Sequence, residues 1–91
     1  MEDITKMVLG DREREFNHVG TLWANGIKTP DGIIYAIERN IAGYEEYCKN
    51  YFLRGVMARR IFHRSFMERA RELGVDVSKY PRELKSSEQQ R

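Results

Sequence analysis

From Pro30 to Phe52 the chain places Ile34, Ile37, Ile41, Tyr44, Cys48 and Tyr51 at intervals of three, four, three, four and three residues. That rhythm fits an amphipathic α-helix and little else. At 100° per residue these side chains, with Ile33 and Phe52, fall in one sector of about 100°. Glu38, Arg39, Glu45, Glu46 and Lys49 occupy the opposite side. No segment alternates with period two, so the pattern offers no strand. The helix also announces its start. Thr29 can accept a hydrogen bond from a free backbone N–H, Pro30 has no N–H to leave unpaired, and Asp31 suits the positive end of the helix dipole.

A second helical pattern runs from Val56 to Leu73. Its apolar face holds Phe62, Phe66, Ala70 and Leu73, widened by Val56 and Met67, and Gly74 stands where a C-terminal cap belongs. Gly55 is the expected break between the two helices, because glycine is the weakest helix former after proline. Arg59 and His63 project into this apolar face instead of away from it. An arginine there must snorkel past Phe62 or pair with an acidic residue of another helix or chain, for which Glu13, Glu15, Glu38 and Glu45 are available. Upstream, Phe16, Val19, Leu22 and Trp23 predict a first helix, about residues 3–25, and the short link Gly26-Ile27-Lys28 predicts that it lies antiparallel beside the second. Val75, Val77 and Tyr80 could pack back on the bundle. The polar remainder, residues 81–91, is expected to be a flexible tail on a single domain of residues 1–80.

The expected fold is therefore all-α: a small three-helix bundle, with helices of about 3–25, 30–53 and 56–73, in which a helical hairpin receives a packed N-terminal helix and a short C-terminal tail follows. Ninety-one residues, 41% of them hydrophobic and 33% charged, suit one domain with a modest core. A thin core of this kind would gain from a second copy, so a homodimer is a reasonable expectation.

Composition narrows function mainly by what it withholds. The single cysteine, Cys48, cannot form an intrachain disulfide, and no histidine cluster accompanies it, so no metal or other cofactor is expected. The glycines match neither a P-loop nor a dinucleotide fingerprint. His63 and Ser65 stand two apart on a helix and point in different directions, so they do not make a base and nucleophile. No apolar run approaches the ~18–20 residues of a membrane span, and the N-terminus lacks the pattern of a secretory signal. The expectation is a soluble, cytoplasmic protein, not an enzyme, with no membrane partner.

Two features point toward binding. Residues 1–52 carry six basic and nine acidic side chains and residues 53–91 carry ten basic and five acidic, an asymmetry that suits a basic surface or mutual attraction of two copies. Most of that excess sits in the third helix, whose Arg54, Arg59, Arg60, Arg64 and Arg71, with His63, are the candidate contacts to a partner protein or to nucleic acid. Arg60, Arg64 and Arg71 line up along one flank, and arginine forks suit phosphate and carboxylate oxygens. Tyr35 and Tyr47 are candidate aromatic anchors of an interface. The leading expectation is an interaction module acting through helix–helix contacts with another protein or a second copy; the alternative is a nucleic-acid-binding protein.

Overall fold

The computed structural model describes residues 2–84, with side chains from Arg12 onward. It is the expected all-α fold: α1 (Glu2–Gly26), α2 (Pro30–Lys49) and α3 (Leu53–Glu72), followed by a non-helical segment, the strap, from residue 75 to residue 84. The expected flexibility of residues 85–91 lies outside the described residues.

The start of α2 forms as its sequence dictates. Thr29 is in an extended conformation and its Oγ1 accepts from Gly32 N–H at 3.1 Å. The end of α2 differs from expectation. The break comes at Asn50–Phe52, before Gly55, and Gly55 lies inside the first turn of α3. Two hydrogen bonds close α2: Tyr51 N–H donates to Cys48 O and Phe52 N–H to Tyr47 O. This is the Schellman arrangement, which places one residue in the left-handed region; here that residue is Tyr51, with φ 55°. The same arrangement ends α3. Gly74 N–H donates to Arg71 O, Val75 N–H donates to Ala70 O, and the left-handed residue is the expected Gly74, with φ 79°.

Gly55 is needed for contact, not for chain reversal. An added Cβ there would lie 2.5 Å from Cδ2 of Tyr47, so the tyrosine ring rests directly on the α3 backbone.

The helix order in space corrects a second expectation. α1 and α2 scarcely touch, and both pack on α3. Phe16 and Gly20 meet Phe62, and Thr21, Ala24 and Asn25 lie beside Ser65, Arg69 and Glu72. α1 thus runs parallel to α3. Asn40 meets Arg59 and Tyr47 meets Gly55, so α2 runs antiparallel to it. The link between α1 and α2 is held where it passes the C-terminal end of α3, because Arg69 Nε donates to Ile27 O at 3.0 Å.

The core joins Ala24, Ile33, Ile37, Phe62, Phe66, Met67 and Ala70. On α2 the buried side holds Ile33, Ile37, Asn40 and Tyr44. It is turned by about 40° from the centre of the expected stripe, so that Ile34 and Cys48 lie at its edge; Tyr51 and Phe52, beyond the end of the helix, are exposed. α3 buries Gly55, Ile61, Phe62, His63, Phe66, Met67 and Ala70, positions that surround most of its axis. Its neighbours explain this: α1 lies on one side, α2 on another, and the strap on a third.

Candidate functional site

Arg59 leaves the interior by an unexpected route. Asn40, 1% exposed, donates from Nδ2 to the Arg59 carbonyl at 2.8 Å and accepts from Arg59 Nη1 at Oδ1, 3.1 Å. The guanidinium lies 5.5 Å from the centre of the Tyr47 ring, close enough for the ring face to attract the cation. Tyr47 also meets Phe52 edge-on at 5.1 Å. The expected acidic partners of Arg59 are not used. Among them, Glu38 instead accepts from Tyr80 Oη at 2.8 Å.

His63, a candidate contact whose place on the apolar face also suits a hydrogen-bonded core histidine, is 0% exposed. The strap covers it, and Nε2 lies 2.6 Å from Pro81 O. A carbonyl can only accept, so Nε2 carries the proton, and Nδ1 is left as a buried acceptor with no partner. Burial pushes the imidazole below its ordinary pKa, while the bond to Pro81 and the charge of Glu83 act in the opposite sense. The strap is fixed at further points. Arg64 Nε donates to both carboxylate oxygens of Glu83, at 3.1 and 2.9 Å, and Leu84 is 3% exposed. Packed chain therefore continues past residue 80, where the domain was expected to end.

The remaining arginines are dispersed. Arg54 and Arg71 are exposed and Arg60 is half-buried. Arg60, Arg64 and Arg71 share one side of α3, within about 40° of one another, whereas Arg54 leaves by a different side. Arg69 is bound to Ile27 O and to Glu72. Tyr44 is buried and within the influence of Arg60, and its hydroxyl makes no well-formed hydrogen bond, the Cys48 thiol being its polar neighbour. Its desolvation, with Cys48 as a second cause, pushes its pKa up to about 12.

The described residues contain no group of three potential metal ligands. A shallow cleft of about 210 Å³ between α1 and α3 is lined by Thr21, Ala24, Asn25, Ser65, Glu68, Arg69 and Glu72. Ser65 faces α1 there, on a side of α3 away from His63.

The most unusual surface was not anticipated from sequence. Tyr51, Phe52 and Leu53, consecutive at the tip of the α2–α3 hairpin, are 78%, 50% and 76% exposed. The expected anchors differ from one another: Tyr35 is 67% exposed on the outer side of α2, while Tyr47 is half-buried against Gly55 and Arg59. On α1, Leu22 and Trp23 are also largely exposed, although the Trp23 ring lies 5.1 Å from that of Phe62. The signal for the tip was present: a tyrosine where a helix-ending glycine would serve, followed at once by two more apolar residues. Reading Tyr51 and Phe52 as the last part of the α2 stripe concealed it.

The sequence matches no protein-family model, no curated protein and no solved structure.

Proposed function

We propose that this chain is a small, non-enzymatic interaction module that binds another protein, or a second copy of itself, through the tip of its α2–α3 hairpin. The carrying observation is Tyr51. The fold uses the same helix-ending arrangement twice, once with Gly74 and once with Tyr51. A non-glycine residue in the left-handed region costs about 1 kcal/mol or more, and Tyr51 exposes 78% of its surface. Strained residues cluster at binding and catalytic positions, and tyrosine is among the residues that dominate interface energetics. Phe52 and Leu53 extend the apolar tip, and Lys49 and Arg54 flank it.

Tyr51→Gly separates folding from binding. It should raise stability by roughly 0.5–1 kcal/mol while weakening association. Sedimentation velocity tests self-association, and a photo-crosslinking residue at position 51, against the same residue at exposed Lys28, tests contact with another protein. A wild-type chain that stays monomeric and yields no adduct specific to position 51 would end this reading.

The nucleic-acid reading rests on the shared side of Arg60, Arg64 and Arg71. It has less beneath it, because Arg64 holds Glu83, His63 is enclosed and Arg59 is engaged by Asn40 and Tyr47. It requires binding whose affinity falls linearly with salt on a log–log plot, with a slope reduced in the triple alanine variant.

A further inference from the structure

We infer that residues 75–84 form an acid-released strap, pinned by the bond between His63 and Pro81 and hinged at Gly74, that opens when His63 takes up a second proton while the three helices stay folded.

The pin is built for one protonation state. Neutral His63 has one N–H, and Pro81 O takes it. A protonated ring would carry a second N–H at Nδ1, where the side chain is 0% exposed and no acceptor is within reach. A buried charge with an unpaired donor is expensive, and the structure relieves it by movement where movement is cheapest. That place is the strap. It forms no helix, turns away from α3 at the left-handed Gly74, and is tied to the helices by the packing of Val75, Val77 and Tyr80 at the edge of the core and by four discrete contacts: Tyr80 to Glu38, Pro81 to His63, Glu83 to Arg64, and the seat of Leu84. The helices keep core contacts that do not involve the strap, among Ala24, Ile33, Ile37, Phe62 and Phe66.

The surrounding groups set the sign. On the strap stand Asp76, Lys79, Tyr80, Arg82 and Glu83; on α2, Glu38 and Tyr44; on α3, Arg59, Arg60 and Arg64. The bond to Pro81 and the charge of Glu83 favour a charged His63, the Glu83 carboxylate being already engaged by Arg64, and burial outweighs both. Because burial holds the folded-state pKa below 6.5, the unfastened form binds the proton more tightly than the fastened one. Closure is fully favoured above pH 6.5 and weakens as pH falls through the folded-state value, by up to tenfold in the opening equilibrium per pH unit. Asp76 is held below the ordinary carboxylate value by the hydrogen bond from Ser78, so its protonation belongs to a more acid range.

Hydrogen exchange read by peptide between pH 7.5 and 5, corrected for intrinsic rates, tests this. Exchange across residues 75–84 should rise as pH falls below 6.5, while residues 33–44 and 61–70 stay protected. His63→Gln, which keeps a neutral N–H donor, should abolish the rise, and Glu83→Gln should retain it. No rise in the wild type, a rise that persists in His63→Gln, a rise lost in Glu83→Gln, or simultaneous opening of the helices would each overturn the inference. Should His63→Gln fail to fold, nitrogen-15 NMR of the wild type decides. It should find His63 protonated at Nε2 and titrating in step with the strap resonances. A His63 that titrates with those resonances unmoved refutes the latch.

Discussion

Replacing Gly55 by alanine sets two well-characterised effects against each other. In an exposed helix the change favours the helical state by up to ~1 kcal/mol, because glycine loses more backbone freedom on folding. Here the new methyl would sit 2.5, 2.7 and 2.8 Å from Cδ2, Cε2 and Cγ of Tyr47. Ordinary carbon–carbon contact begins near ~3.5 Å, so the ring or the helix must yield by about 1 Å. The ring has little freedom to yield: Phe52 lies against it at 5.1 Å, the Arg59 guanidinium at 5.5 Å, and Cγ is the atom nearest its own backbone. Overpacking of this kind costs about 1–3 kcal/mol. The expected net effect of Gly55→Ala is a loss of about 1–2 kcal/mol, or roughly 4–16 °C in Tm for a domain of this size. Thermal and urea unfolding of Gly55→Ala, Tyr47→Ala and the double variant measure it. In the Tyr47→Ala background the clash is gone, and adding the methyl at position 55 should be neutral or stabilising. A rise in Tm on Gly55→Ala alone, or the same change in both backgrounds, would refute the claim that α2 and α3 approach through this glycine.

Asn40→Ala should cost about 1–3 kcal/mol, since it removes both hydrogen bonds to Arg59 from a buried site; urea unfolding at pH 7 measures it. Gly74→Ala should lose roughly 1 kcal/mol by forcing a side chain into the left-handed region, and comparison with the gain expected of Tyr51→Gly tests whether the two helix ends are equivalent. Tyr44 supplies an alkaline counterpart to His63. Its folded-state pKa is raised to about 12, above the unfolded value near ~10, so the stability it lends is complete below that value and disappears as pH climbs toward the folded one. Absorbance titration at 295 nm should find a tyrosine that ionises late, and Tyr44→Phe should remove it and flatten the alkaline loss of stability.

The features legible in sequence were those set by local chemistry. Thr29-Pro30-Asp31 and Gly74 mark helix ends because caps depend on a few adjacent residues. The three helices followed from apolar periodicity, and Val75, Val77 and Tyr80 do pack on the core. What escaped is what a third neighbour decides. α3 meets α1, α2 and the strap, so its buried positions spread around the axis and Arg59 and His63 resembled intruders in a single face. Ile61 is buried outside the main core cluster, on a side that the expected face did not include. Asn40 looked like any polar residue, because its role depends on an arginine nineteen positions away. Pro81 contributes only a backbone carbonyl to His63, and a carbonyl leaves no mark on residue identity. The tip was hidden for another reason: three consecutive apolar residues suit a stripe as well as an exposed turn, and only Tyr51 φ separates the two.

The central position of α3 also orders the folding of the chain. α1 and α2 leave the ribosome before α3, yet each lacks its packing surface until residues 53–72 are available. Short isolated helices are marginal in water, so a chain halted near Asn50 has two helices and almost no contact between them. Folding of these helices during synthesis must therefore wait for α3. When α3 emerges, both earlier helices find their partner at once, and the strap, made after it, closes over a bundle already assembled.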